Sequence, residues 1–353
     1  MEKWRILQTI ARFVLPLHLI VRPMTCDKLG RYSRLIGRSC IMPTKYDSPI
    51  TDMPTSLTEL KGLIQKAVGG DNLRQPYESI WVSSSSCPTT PSHTMYMPLL
   101  CVVAQGSKQV TLGDEQYIYD TGHFLLNTVT LPATSRVLDA SPEKPHLGMT
   151  IGLDPAMVGS VIAEAGLPTP TAGTPLRAME SSPIDCGLLD AVVRLARFFD
   201  SPRESPYLRS LVLREIIYLL LKGPQAARLH QIVPGLGQTQ RVARAISWLR
   251  DNYDKPLTIE KLARESGMSS SALHHHFKDV TALTPLQFQK QLRLQEARRL
   301  MVSEGMDAAN AGFKVGYDDP SYFSRDYRRF FGAPPRQHVE RLRGDAVQIE
   351  SAP

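Results

Sequence analysis

Two stretches in the C-terminal third of the chain share one grammar, and that repetition limits the fold more than any other feature. After Thr258, the run Ile259–Ser266 turns Leu262 and Ala263 to one side. Gly267-Met268-Ser269 follows, with a glycine free to adopt the positive φ of a reversal and a serine suited to N-cap the next helix. The run Ser270–Asp279 then sets Leu273 and Phe277 four apart on an inward side. A short helix, a glycine turn and a second helix make a helix-turn-helix. About fifty residues later the pattern returns. Ala308, Ala309 and Phe313 form the short helix and Val315-Gly316-Tyr317 the turn. Asp319 is placed as N-cap, Pro320 at the favoured first helical position, and Phe323, Tyr327 and Phe330 as the inward stripe.

Between the two units, Pro285 to Val302 is an unbroken helical run with Leu286, Phe288, Leu292, Leu294, Ala297 and Leu300. Such a run is ~27 Å long at ~1.5 Å per residue, and successive major-groove faces on one side of B-DNA are ~34 Å apart. A single helix pair is weak evidence, because any all-α domain contains one. Two in tandem, held by a strut of this length, predict two second helices in adjacent major grooves.

The charge distribution agrees. Of 353 residues, 41 are Lys or Arg and 34 Asp or Glu, a net +7. Residues 239–343 carry 18 basic and 12 acidic groups, whereas 54–238 carry 14 and 16. A basic third beside a near-neutral middle points to a polyanionic partner for that third. Hydrophobic residues make up 42% of the chain, too many for intrinsic disorder. The five cysteines form no C-x-x-C pair, which excludes a zinc ribbon or disulfide scaffold and favours a reducing, cytoplasmic setting. No apolar stretch is long enough for a membrane span.

Residues 1–53 hold 9 basic and 4 acidic groups with no clear period. They read as a disordered extension or as sequence upstream of a start at Met42 or Met53, with a faint likeness to a targeting segment between Trp4 and Val21. The first domain spans 54–223. Ser56-Leu57-Thr58-Glu59 reads as a capping box opening a helix. Seven short runs between Ile80 and Ile151, separated by turns such as Gly113-Asp114 and Asp120-Thr121-Gly122, predict an antiparallel barrel or sandwich. Helical periods return at Met157–Ala165, Leu188–Phe199 and Leu208–Leu220, as covers for the sheet or as a self-association surface. Residues 224–238 read as a linker, 239–343 as the helical domain and 344–353 as a tail. The fold class is α+β.

With these residues on the page, the resemblance is plain. Leu257-Thr258-Ile259, Leu262-Ala263, Gly267-Met268-Ser269, Leu273 and Phe277-Lys278 open the match. It continues through Leu292-Arg293-Leu294, Ala297-Arg298, Gly312-Phe313, Gly316-Tyr317, Tyr322-Phe323-Ser324-Arg325 and Phe330-Phe331-Gly332. Together they are similar to the DNA-binding domain of the AraC/XylS family of bacterial transcription regulators. Leu100–Gly113 and Tyr119–Leu125 resemble the cupin-like N-terminal domain of one subgroup of that family. The resemblance implies promoter DNA and RNA polymerase as partners, a homodimer, and a small-molecule effector or dimerisation acting through the N-terminal domain, with no membrane, cofactor or catalytic residues.

On the first reading helix, Leu273, His276 and Phe277 approximate the buried side, and Ser270, Ser271, His274, His275 and Lys278 point outward. The family's base-contacting positions carry over to Ser271, His274 and His275. On the second reading helix, Ser321, Ser324 and Arg325 are the base-contact candidates, and a bidentate Arg325–guanine pair discriminates by roughly 1–3 kcal/mol. Lys278, Arg328 and Arg329 are candidates for phosphate contacts, which add salt-dependent and sequence-blind affinity. Against these stand plainer readings: Arg325 as an exposed charge or phosphate contact, and the histidines as merely solvated. Asp318, Asp319 and Asp326 read as helix caps and arginine partners.

The middle domain invites two other functions. A barrel of seven or eight strands has room for one small molecule, and a metal-dependent cupin enzyme tethered to DNA is a rival to the regulator. That enzyme needs a His-x-His pair, whereas His93, His123 and His146 are scattered. The consecutive His274-His275-His276 point about 100° apart on a helix and do not converge on one ion. No metal ligand is therefore assigned. Cys101 reads as core, or with Cys87 as a thiol open to an electrophilic effector. Ser83–Ser86 looks like an exposed loop and lacks a Gly-x-Ser-x-Gly elbow. The remaining alternative is a sequence-blind architectural DNA binder.

Overall fold

The computed structural model describes residues 53–70, 73–167, 176–200, 206–233 and 238–350. The expected N-terminal extension up to residue 52 lies outside them. The first helix, α1 (Met53–Val68), starts before the stretch read as a capping box. Thr58 lies a turn inside it, donating its hydroxyl to the Pro54 carbonyl at 2.7 Å. The apolar stripe of Leu57, Leu60 and Ile64 continues upstream to Met53, which packs on the same core, so the helix extends to cover it.

Among the described residues, ten strands follow in two antiparallel sheets. The first sheet orders β1 (Leu73–Tyr77), β2 (Ile80–Ser85), β9 (His146–Gly152), β4 (Leu99–Gln105), β7 (His123–Asn127) and β10 (Met179–Pro183). The second orders β3 (Ser92–Tyr96), β8 (Leu131–Asp139), β5 (Ser107–Leu112) and β6 (Glu115–Asp120). The expected antiparallel domain is thus two facing sheets whose edges do not pair into a closed barrel. The run read as one strand from Phe124 to Leu131 is divided. Asn127 turns the chain by donating its amide to the carbonyls of Met97 (2.6 Å) and Val129 (2.8 Å), and β8 begins in the opposite sheet.

Three strands carry little apolar signal. β1 is an edge with Arg74, Gln75 and Pro76, β3 is mostly polar, and β10 returns to the sheet after a helix. Ser83–Ser86, read as an exposed loop, falls largely within β2, where Ser84 and Ser85 are buried. Four serines gave no apolar period, yet pairing with Gly148, Leu147 and His146 of β9 makes them a strand.

Strand alternation feeds two cores. Leu100, Val102, Phe124, Leu126, Met149 and Ile151 face the helices α1, α2 (Pro155–Ala165), α3 (Cys186–Arg197) and α4 (Pro206–Lys222). Leu99, Cys101, Val103 and Leu125 face the second sheet. Cys101, 4% exposed, takes the packing role, with its thiol 3.5 Å from Thr150 Oγ1.

The inter-sheet core does not stop at the first domain. It runs from Val110, Leu112 and Tyr119 into Val242, Leu273, Phe277, Phe288 and Leu292 of the helical third. The stretch read as a linker packs in its first half: Arg228 and Leu229 of α5 (Ala226–Leu229) and His230 and Ile232 of the 3-10 turn at His230–Ile232 are buried, and Arg228 donates to the Arg177 carbonyl at 2.6 Å. The helical third comprises α6 (Gln238–Asp251), α7 (Ile259–Ser266), α8 (Ser270–Thr281), α9 (Pro285–Ser303), α10 (Ala308–Lys314), α11 (Pro320–Phe331) and α12 (Pro335–Glu350). Residues 344–350, read as tail, continue α12. No helix among the described residues is long and apolar enough to cross a membrane.

Candidate nucleic-acid interface

Each helix-turn-helix forms for the reasons its residues dictate. Gly267 ends α7 in the left-handed region at φ 68°, and the Ser269 side chain accepts from Ala272 N to start α8. Asp319 accepts from the amides of Ser321 and Tyr322 and, with Pro320, starts α11. Leu273 and Phe277 of α8 and Phe323 and Tyr327 of α11 have no solvent exposure, which fixes the rotation of both helices. Burying an aromatic of this size makes truncation to alanine cost about 3–5 kcal/mol.

The opposite faces are open. Ser271, His274, His275 and Lys278 on α8 are exposed, as are Ser321, Arg325, Arg328 and Arg329 on α11, with Ser324 half-buried. All nine sequence-predicted contact residues therefore reach solvent, and neither reading face is covered by the sheets. His276 and Ser270 sit at the boundary, partly buried. Arg325 lies over the exposed Tyr322 ring, 4.2 Å from its centroid. Among the described residues, Lys278, Arg325, Arg328 and Arg329 have no carboxylate partner. Ser324, Arg325, Arg328, Arg329, Gly332 and Pro334 line a groove of about 550 Å³. Asp326 faces inward, pairing with Lys290 at 2.7 Å rather than with an arginine.

The strut α9 is 19 residues, about 28 Å, and opens with a full capping box in which Thr284 and Gln287 exchange bonds. From its middle, Arg293 donates to the Tyr253 carbonyl (2.7 Å) and the Lys255 carbonyl (3.0 Å) beside the first unit, and to the Gly316 carbonyl (2.7 Å) in the turn of the second. A Cβ on Gly316 would stand 2.0 Å from the Asp254 carbonyl oxygen, so only glycine fits there. Arg293 and Gly316 lock the two units as one body.

That body is clamped to the second sheet at two points, neither foreseen from sequence. In the first clamp, Arg177 bonds the carbonyls of Lys278 and Asp279 at the end of α8 and is itself held by Glu115, its Nε 2.9 Å from Glu115 Oε1. Beside it, Ala178 N donates to Val280 O at 2.9 Å while its carbonyl accepts from Thr128 N at 2.8 Å. Gly113, in the β5–β6 turn, approaches Ala282 too closely for a Cβ, 2.6 Å from its carbonyl oxygen. In the second clamp, the His93 ring packs 4.2 Å from Phe330 and 5.1 Å from Phe331, and Arg298 Nη2 donates to the His93 carbonyl at 3.0 Å. Burial, reinforced by the Arg298 and His338 charges, lowers the His93 pKa to about 3. Lone polar residues in poorly periodic segments gave no signal; their partners lie 101 to 205 residues away.

His93, His123 and His146 occupy three separate places: the second clamp, an exposed pair with Asp120 at 2.8 Å, and the space between the sheets. On α8, His275 Nε2 lies 3.2 Å from Asp279 Oδ2. The donor atoms of His275, His276 and Asp279 are all within 4.8 Å of one another, so two consecutive histidines meet through a carboxylate one turn on.

The profile of the AraC-type transcriptional regulator N-terminus matches residues 76–228, and that of a helix-turn-helix domain matches residues 262–341. In both of its domains the chain is similar to AraC-type transcriptional regulators. The transcriptional activator RhaS of Escherichia fergusonii is 30% identical to it over 155 residues, 44% of this chain and 55% of RhaS. The transcriptional regulator ArgR of Pseudomonas aeruginosa is 29% identical over 107 residues, 30% of this chain and 32% of ArgR. This chain thus spans about half, or less, of the length of the curated relatives it matches. The structure of ToxT from Vibrio cholerae O395 bound to (E)-4-(8-methylnaphthalen-1-yl)but-3-enoic acid superposes with a TM-score of 0.50 at 11% identity, covering 75% of this chain and 99% of ToxT. The likeness to ToxT is one of fold.

Proposed function

We propose that the protein is a sequence-specific transcription regulator that places α8 and α11 in adjacent major grooves of promoter DNA. The observation that carries this reading is the pair of N-capped, solvent-open helices joined rigidly through Arg293, with unpaired cations on their open faces. Ser271, His274 and His275 read one groove; Ser321, Ser324 and Arg325 read the next. Lys278, Arg328 and Arg329 hold phosphates. The imidazole and hydroxyl set on α8 discriminates less than an arginine on guanine, so α11 carries more of the specificity.

The two-sheet domain is the regulatory half, acting in the cytoplasm through a small-molecule effector. An effector matters only if it binds one arrangement of the helical body more tightly than another, with coupling typically about 1–3 kcal/mol. The Thr128–Ala178–Val280 bonds and the His93–Phe330 contact are the routes by which a shift in the sheets reaches the reading helices. Self-association follows from α4, whose outer face leaves Tyr207 67%, Leu208 46% and Leu211 43% exposed. A homodimer through that face doubles the DNA contacts and favours paired sites, from which RNA polymerase is engaged. A genome-wide map of bound fragments, followed by affinity measurements on a recovered site and on bulk DNA at matched salt, tests the reading. Equal affinity for both overturns it in favour of an architectural binder.

A further inference from the structure

Asp279 stands on the helical wheel of α8 between two histidines that point about 100° apart. It is turned about 40° from His275, four positions back, and about 60° from His276, three positions back. Residues at these spacings are neighbours on a helix surface. The carboxylate therefore bridges the two rings, and the donor atoms of all three residues lie within 4.8 Å of one another.

Two of these side chains carry polar atoms that the fold encloses without a partner. His276 Nδ1 and Asp279 Oδ2 are both out of reach of solvent and make no hydrogen bond among the described residues. His275 Nε2 is 3.2 Å from that same Oδ2, yet no hydrogen bond forms between them. An ordinary ion pair on a helix surface leaves its carboxylate oxygen bonded or in water, and Oδ2 has neither. The separation suits a shared ion: nitrogen and oxygen ligands about 2.0–2.2 Å from a tetrahedral Zn²⁺ stand about 3.3 Å apart. The His275 side chain, 73% exposed, has room to turn and close the remaining gap.

The backbone beneath the three residues is held. The Asp279 carbonyl accepts from Arg177, whose charge is met by Glu115, so the turn that carries the carboxylate is fixed and the guanidinium is neutralised. Leu273, Phe277 and Val280, with no solvent exposure, set the rotation of the helix. Supports of this kind orient metal ligands. Two imidazoles and a carboxylate are the donor set of a borderline divalent ion, whereas Mg²⁺ and Ca²⁺ take oxygen ligands. Three protein ligands leave a fourth position to water.

We propose that His275, His276 and Asp279 bind one divalent transition-metal ion of the Zn²⁺ class in the second half of the first reading helix. The site itself does not depend on what α8 reads. Its consequence rests on the DNA reading: an imidazole coordinated to the ion is no longer offered to a base edge, so ion and groove compete for His275.

The full chain, stripped with a chelator, is titrated with Zn²⁺ in excess Mg²⁺ by calorimetry and thermal melting. One equivalent is expected to bind and to raise the melting temperature, since an ion held only by the folded chain stabilises it. His276→Gln and Asp279→Asn are each expected to weaken Zn²⁺ binding about tenfold or more, at least the cost of losing a supporting partner of a ligand. His123→Gln, which breaks the exposed pair with Asp120, leaves Zn²⁺ binding unchanged. Zinc X-ray absorption on the loaded native chain, which needs no variant, is expected to show two imidazoles and no sulfur. No saturable Zn²⁺ binding, displacement by Mg²⁺, affinity unaltered in both variants, or sulfur around the ion each overturn the site. At matched salt, bound Zn²⁺ is expected to lower the ratio of affinity for a recovered promoter site to that for bulk DNA about two- to tenfold, the scale of one hydrogen bond. An unchanged ratio with the ion bound overturns the competition and leaves the site. A chain without promoter preference in the absence of zinc overturns the DNA reading instead.

Discussion

Arg293 Nη1 donates to the Gly316 carbonyl at 2.7 Å, and this one contact ties the strut between the two helix-turn-helix units to the turn of the second. Gly316 sits at φ 90° with the Asp254 carbonyl where a side chain would begin. Gly316→Ala is therefore expected to destabilise the chain by about 2 kcal/mol or more, through strain and displacement of the first unit. Arg293→Ala is expected to reduce affinity for a site containing both half-grooves far more than for either half alone. Denaturant midpoints and binding to whole and half sites measure the two effects.

Arg325 and Arg329 separate the two kinds of DNA contact. Arg325→Ala should cost roughly 1–3 kcal/mol on the cognate promoter and little on bulk DNA, erasing preference. Arg329→Ala should weaken every sequence alike and lower the salt slope by about 1. Equal losses on all sequences from Arg325→Ala would refute its assignment to a base.

The clamp at Arg177 predicts a change in dynamics before any change in fold. Arg177→Ala removes the donor to the Lys278 and Asp279 carbonyls but leaves the core contacts of Phe277 intact. Hydrogen exchange in the last turn of α8 should quicken severalfold, while non-specific DNA affinity is retained. Unchanged exchange there would show that Ala178 and Gly113 suffice to hold the helix.

His93 makes the second clamp sensitive to acid. Its folded pKa, about 3, lies below the 6.5 of a free imidazole. A depressed histidine favours the folded state while neutral; once pH falls below 6.5 the unfolded chain takes up a proton that the folded chain refuses. Stability from this residue is thus complete above pH 6.5 and declines as pH falls toward 3. Melting temperatures between pH 7 and 5 should drop more steeply for the native chain than for His93→Gln, with His146 and His338 supplying the remaining slope.

Leu211→Glu on the outer face of α4 probes self-association. Leu211 is 43% exposed, so a charge there costs the single chain little. Sedimentation should show the native chain as a dimer and the variant as a monomer, with weaker binding to paired sites and unchanged binding to one.

The helical third was legible because its instructions are local. Gly267, Ser269, Asp319 and Pro320 act on residues within one turn, and the structure puts helix boundaries at those positions. The two-sheet domain was legible in part: strands with alternating apolar residues stood out, whereas β1, β3, β10 and the serine run of β2 are strands only because neighbours pair with them. The first half of the 224–238 stretch carries no local signal for the same reason, since Arg228 and Leu229 are ordered by the distant Arg177 carbonyl and the core.

By itself, then, the order of residues determined the two helix-turn-helix units, the strut that spaces them and which side chains face outward, because capping, glycine geometry and apolar period operate over three or four positions. Only the tertiary structure decided that the two units are fastened to the sheets and that His93 and Arg298 share an interface. Those outcomes depend on segments far apart in the chain being brought within a few ångströms, and no local pattern encodes such a meeting.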